Sequence, residues 1–219
     1  MGPGPALIMT LALALLSLGC GVKAPTIEAV EWRIELQQGT QGPHEALSVF
    51  ARVHDEAGSD DVEELWVSQD QERLAWKLDS GTWVKRMEGS DTWFGAPGLS
   101  RPDLAPLPRG DYRITAIDAA GDRAEKTVQI VGSFPALPPP SLVLRGGQIS
   151  SHGGDWPELL LLAFDASGTL LASKSAPPKS STLSELFGSD IAAKTRELAA
   201  YGYDPATHSG YYTTRIAVK

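Results

Sequence analysis

The side chains with the widest chemical repertoire are sparse in this chain. Cys20 is the single cysteine in 219 residues, so no internal disulfide can form and its thiol is either free or chemically occupied. His44, His54, His152 and His208 lie far apart, and none has the spacing by which two imidazoles share one metal ion. His152 and Asp155 are close enough in sequence to suggest a base and its orienting carboxylate, but no Gly-x-Ser-x-Gly elbow supplies a nucleophile beside them. Asp55, Glu56, Asp60, Asp61, Glu63 and Glu64 gather carboxylates of the kind that bind Ca²⁺. They lack the Asp-x-Asp-x-Asp-Gly order of an EF-hand, and a solvated loop is the plainer reading. Phosphate-cradling glycine loops are absent from the sequence, so it calls for no nucleotide, cofactor, metal or catalytic residue. Of the six tryptophans, Trp32 and one of Trp66 or Trp76 suit a core. Trp83 and Trp93, in polar surroundings with Gly81, Gly89 and Gly95 nearby, are placed to form a sugar- or protein-binding surface.

Cys20 has a distinctive setting. It follows an uncharged apolar run over 6–18, too short for the roughly 20 residues of a spanning helix and suited to the h-region of a signal peptide. Leu16-Ser17-Leu18-Gly19-Cys20 resembles the processing site of bacterial lipoproteins, in which a peptidase cuts before the cysteine and acyl chains are attached to it. The resemblance implies a signal peptide over 1–19, an acylated Cys20, a short tether over 20–26, and membrane attachment by two or three chains. One chain binds only marginally, at about 0.8 kcal/mol per buried CH₂. Gly21 follows where an Asp would signal inner-membrane retention, so the expected address is the cell envelope, periplasmic or surface-facing, with the outer membrane favoured.

Residues 1–19 carry no charge, so the whole formal charge of -8 belongs to the remainder. An acidic body is a poor partner for nucleic acid, whose binding rests on a basic footprint. Gly 22 and Pro 16, spaced between short apolar runs, point to an all-β protein.

Val30, Trp32, Ile34 and Leu36 alternate with Glu31, Arg33, Glu35 and Gln37, the period-two pattern of a strand with one wet face. Leu47, Val49, Ala51 and Val53 repeat it after a turn. Further strands follow around Val62, Leu65 and Val67 and around Leu74, Trp76 and Leu78. The segment Leu107-Pro108-Arg109-Gly110-Asp111-Tyr112 is similar to the tyrosine corner of immunoglobulin-like and fibronectin type III-like domains. That resemblance covers 27–132. It implies a β-sandwich in which the Tyr112 hydroxyl ties back to the preceding turn, with Tyr112, Ile114, Ala116, Val128 and Ile130 facing inward. With no cysteine for an inter-sheet disulfide, an antibody-type domain is excluded.

The proline-rich stretch 133–141 cannot join a central strand and reads as a semi-rigid linker. Beyond it, 142–219 carries a strand over 142–149 and a hairpin over 158–173, a degenerate second copy of the sandwich. It also carries a Thr182/Glu185 capping box, a helix over 190–201 ending at Gly202, and a last strand through Tyr212, Thr214, Ile216 and Val218. The expected architecture is thus all-β, tandem sandwiches with the second interrupted by a helix. The expected function is that of a lipid-anchored, non-catalytic envelope protein whose domains contact another protein. The alternative is a glycan-binding module using Trp83 and Trp93.

Overall fold

The computed structural model describes residues 23–39, 42–153 and 155–218. The expected signal peptide and Cys20 lie outside the described residues. In chain order the strands of the first half are β1 (Thr26–Gly39), β2 (Gly42–His54), β3 (Val62–Gln69), β4 (Leu74–Leu78), β5 (Val84–Glu88), β6 (Asp91–Leu99), β7 (Gly110–Asp118) and β8 (Arg123–Ile130). The second half holds β9 (Ser141–Arg145), β10 (Gln148–His152), β11 (Glu158–Phe164), β12 (Leu170–Ser175) and β13 (Ser181–Thr182). Helices α1 (Leu183–Phe187) and α2 (Ser189–Lys194) follow, then β14 (Glu197–Asp204), β15 (Ser209–Tyr212) and β16 (Ile216–Ala217). The protein is all-β, and among the described residues no helix is long and apolar enough to cross a membrane.

The inward faces read from period-two alternation form the first core. Ile34, Leu47, Val49, Ala51, Val53 and Phe94 from one sheet pack on Val62, Leu65, Val67, Tyr112, Ile114, Ala116 and Ile130 from the four-stranded sheet β4-β3-β7-β8. Each such aliphatic side chain contributes about 1.5–3 kcal/mol when fully buried. Tyr112 is fully buried, and its hydroxyl donates to the Pro108 carbonyl at 2.9 Å. Opposite its start, Arg109 grips Glu45 with two nitrogens at 2.9 and 3.1 Å, the forked geometry that makes guanidinium–carboxylate pairs strong.

The second half departs from the expected tandem copy. Its strands β11, β12, β14, β15 and β16 extend the first half's sheet, which runs β12-β11-β14-β15-β1-β2-β6-β5 with β16 beside β14, while β9, β10 and β13 form a small sheet of their own. The junction is a parallel pairing of β1 with β15, from Ile34 opposite Ser209 to Gln37 opposite Tyr212. Residues 133–140 of the proline-rich stretch lie outside every strand, and β9 takes up its last residue, Ser141. Phe134 packs on the first core, and Trp156 Nε1 donates to the Pro138 carbonyl at 2.9 Å.

One face of the added strands is covered by the small sheet β13-β10-β9 and both helices, through Ile149, Leu161, Ala163, Phe187, Leu198 and Ala200. The capping box forms as read: Thr182 Oγ1 accepts from Glu185 N at 3.3 Å, and the Glu185 carboxylate accepts from Thr182 N at 2.7 Å. The single helix over 190–201 does not form. Helix α2 stops at Lys194, and Arg196 N donates to the Phe164 carbonyl at 2.8 Å, which starts a strand. Alanines favour helix, but β14 lies between β11 and β15 and fills both faces, and that tertiary pairing overrides local preference.

Candidate functional site

Glu35 belongs to the face of β1 that alternation assigns to solvent, yet it is 3% exposed. Its burial follows from the seam. Glu35 lies opposite Gly210, and Gly210 also pairs with Tyr203 on β14. A Cβ at Gly210 would collide with the Tyr201 ring, so the glycine is what lets that ring lie across β15 toward β1. Tyr201 then donates to Glu35 Oε1 at 3.2 Å, and Ser48 donates to Oε2 at 2.8 Å. Both carboxylate oxygens are held by hydroxyls.

Burial raises the Glu35 carboxyl above the usual glutamate range, and the Ser48 and Tyr201 hydrogen bonds and the Arg33 charge oppose the rise without cancelling it. Burial, and then the Glu35 charge, push the phenols of Tyr201 and Tyr212 well above the ordinary tyrosine range. The three tyrosines form a ladder. Tyr201 stacks on Tyr212 at 4.3 Å between ring centroids and on Tyr203 at 6.1 Å, and the Arg33 guanidinium sits 4.7 Å over Tyr203.

Beside this ladder is a cavity of about 430 Å³. Leu162, Phe164 and Ala199 line its apolar part, Tyr212 gives it an aromatic wall, and Gln37 and Gln38 bring amides. Gln38 Nε2 also donates to the Tyr211 hydroxyl. Arg215 lies 3.8 Å over the Phe164 ring and pairs with Glu197 at 3.3 Å, so its charge is compensated. An apolar pocket with a few fixed polar groups and a titration-shifted carboxyl is the usual make-up of a small-ligand site.

No protein-family model matches the sequence, and no curated protein matches it. Among solved structures the chain is similar to Tp47, the 47-kilodalton lipoprotein of Treponema pallidum, with a TM-score of 0.44 and 14% identity. The match covers 90% of this chain and 50% of that one, so the chain spans half of that protein's length. A likeness of this degree carries no inference about function.

Trp83 and Trp93 do not form a shared surface. Trp83 packs edge-on against Phe94, centroids 4.8 Å apart, at the rim of the first core. Trp93 is 5% exposed. It points from β6 to the opposite face of the sheet from Phe94, as neighbouring strand residues must, with the guanidiniums of Arg52 and Arg86 at 5.9 and 5.2 Å. His152 and Asp155 are both exposed, and no side-chain hydrogen bond joins them. The acidic stretch 55–64 splits. Glu56, Asp60 and Glu64 pair with Lys23, Lys85 and Lys77, while Asp55 and Asp61 turn toward Asp118. The expected helix over 190–201 ends at Tyr201 and leaves Tyr203 in no element, so the cleft is not legible from it. Ala199, Tyr201 and Tyr203 at period two, with Gly202 between the tyrosines, are the signal for a strand there.

Proposed function

We propose that this chain is a lipid-anchored, non-catalytic binding protein of the bacterial cell envelope, acylated at Cys20, whose ligand is a short glycan held in the seam cleft. The make-up of that cleft carries the reading. Sugar rings offer an apolar face that stacks on an aromatic ring such as Tyr212, and hydroxyls that pair with amides such as those of Gln37 and Gln38. Glu35, the buried carboxylate of the cleft, has both oxygens taken by Ser48 and Tyr201, an arrangement suited to holding a wall in place rather than moving a proton. The Tyr112 to Pro108 hydrogen bond supports the finer reading of 27–132 as an immunoglobulin-like or fibronectin type III-like sandwich. The tether after Cys20 spans at most about 20 Å when extended, so acylation there would hold the body close to the membrane.

Calorimetric titration of the chain with soluble oligosaccharides from bacterial envelope polysaccharides tests this reading. Binding lost in both Tyr212→Ala and Gln37→Ala is expected. Silence across the panel, or binding indifferent to Tyr212→Ala, rejects the glycan ligand.

A second reading, a protein partner, is favoured at a different place. Strand β5 is an edge of the large sheet and leaves Val84 48% and Met87 67% exposed, the kind of edge to which a partner adds a strand. A photo-crosslinker at position 87 in intact cells should yield one discrete protein adduct under this reading. A control crosslinker at position 170 on the opposite edge should not yield the same one.

A further inference from the structure

At the end of the sandwich where β1 begins, two loops meet: residues 55–61 between β2 and β3, and the turn after β7. Ala119 N donates to the Asp61 carbonyl at 2.9 Å across them. Asp55, Asp61 and Asp118 each offer a carboxylate oxygen here, and the three lie within 4.8 Å of one another. Asp55 and Asp118 are 6% and 2% exposed. Each uses Oδ1 to accept a backbone N–H at 2.8 Å, from Ala57 and from Asp122, which fixes the side chain. Oδ2 of each is buried without a hydrogen-bond partner.

Two buried, unpartnered carboxylate oxygens beside a third carboxylate are costly unless something positive sits between them. None of the three forms an ion pair with a described lysine or arginine, although Glu56 and Asp60 in the same loop pair with Lys23 and Lys85 at 2.7 and 2.6 Å. The two lysines that reach this loop, from before β1 and from β5, are therefore paired with its other carboxylates. The donors are all hard oxygens with no imidazole or thiolate, which disfavours zinc and copper. Oxygens spaced this way suit a cation that binds at about 2.3–2.6 Å and completes a flexible shell with carbonyls or water.

We propose that Asp55, Asp61 and Asp118 form a Ca²⁺ site that clasps the β2–β3 loop to the β7–β8 turn. This does not depend on the seam cleft or on any ligand there.

The test is made on the full chain, stripped with a chelator and titrated with CaCl₂ and with MgCl₂ by calorimetry, alongside thermal melts. One Ca²⁺ per chain, weaker Mg²⁺ and a melting temperature that rises with Ca²⁺ are expected. Asp118→Asn should abolish the rise. Asp61→Asn, at the partly exposed corner and so harmless to folding, should weaken Ca²⁺ at least about tenfold. Asp60→Asn should leave it unchanged. A parent chain with no Ca²⁺ heat and no shift in melting, or an Asp61→Asn variant that responds as the parent does, overturns the site.

Discussion

The Tyr201 hydroxyl donates to Glu35 Oε1 at 3.2 Å across 166 residues of sequence, joining the first strand of the chain to the last part of its sheet. The bond sits on the only stretch where the two halves share a ladder among the described residues, the parallel pairing of β1 with β15. Stability, pH response and the shape of the cleft all meet there.

Because burial raises the folded Glu35 carboxyl above its unfolded value, the folded chain holds a proton that the unfolded chain has released, over a window just above the ordinary glutamate range. Stability from this group is therefore greatest in acid, falls as pH rises through that window, and is flat above it. Glu35→Gln removes the titration. Its urea midpoint should exceed the parent's at neutral pH by more than it does at mildly acid pH. A difference independent of pH would contradict this.

Gly210→Ala drives a methyl group into the Tyr201 ring. Overpacking of this kind costs about 1–3 kcal/mol, and displacing the ring also strips Glu35 of a donor. Tyr201→Phe keeps the ring and loses only the hydroxyl, so thermal melts should rank the parent above Tyr201→Phe and that above Gly210→Ala.

Burial pushes the Tyr112 phenol from its ordinary 10.0 up to about 12. A raised phenol favours the fold at lower pH, so its contribution is lost as pH climbs through that interval. Tyr112→Phe should cost about 1 kcal/mol near neutrality, the worth of one net hydrogen bond. It should also delete a step near the top of the tyrosinate absorbance titration.

Residues 23–132 made alone would leave β1 without β15 and expose the edge at 34–37. An unpaired edge is a template for association. Size-exclusion and amide exchange should show self-association and faster exchange along β1 than in the longer chain. A monomer with unchanged protection would show that the first half stands by itself.

Cys20→Ala should move the protein from the membrane fraction to the soluble fraction, since one residue carries all the acyl chains of the proposed anchor. Retention in the membrane would remove Cys20 from its proposed role.

Features that depend on neighbours along the chain are legible in the sequence alone. Alternation named the core faces of β1, β2, β7 and β8, Leu107 to Tyr112 named a corner that closes on Pro108, and Thr182 with Glu185 named a helix start. These are set by backbone preference and side-chain direction within a few residues. Tertiary structure alone decided which strand lies beside which. A parallel pair between residues 34 and 209 leaves no local trace, because its register is chosen by faces that meet only after folding. That choice turned Glu35 from a wet-face residue into a buried one, and drew residues 197–201 out of an expected helix into a strand buried on both sides. It is also only in space that Asp118 comes beside Asp55 and Asp61, since the loop between β2 and β3 and the turn after β7 are far apart in sequence and adjacent at one end of the sandwich.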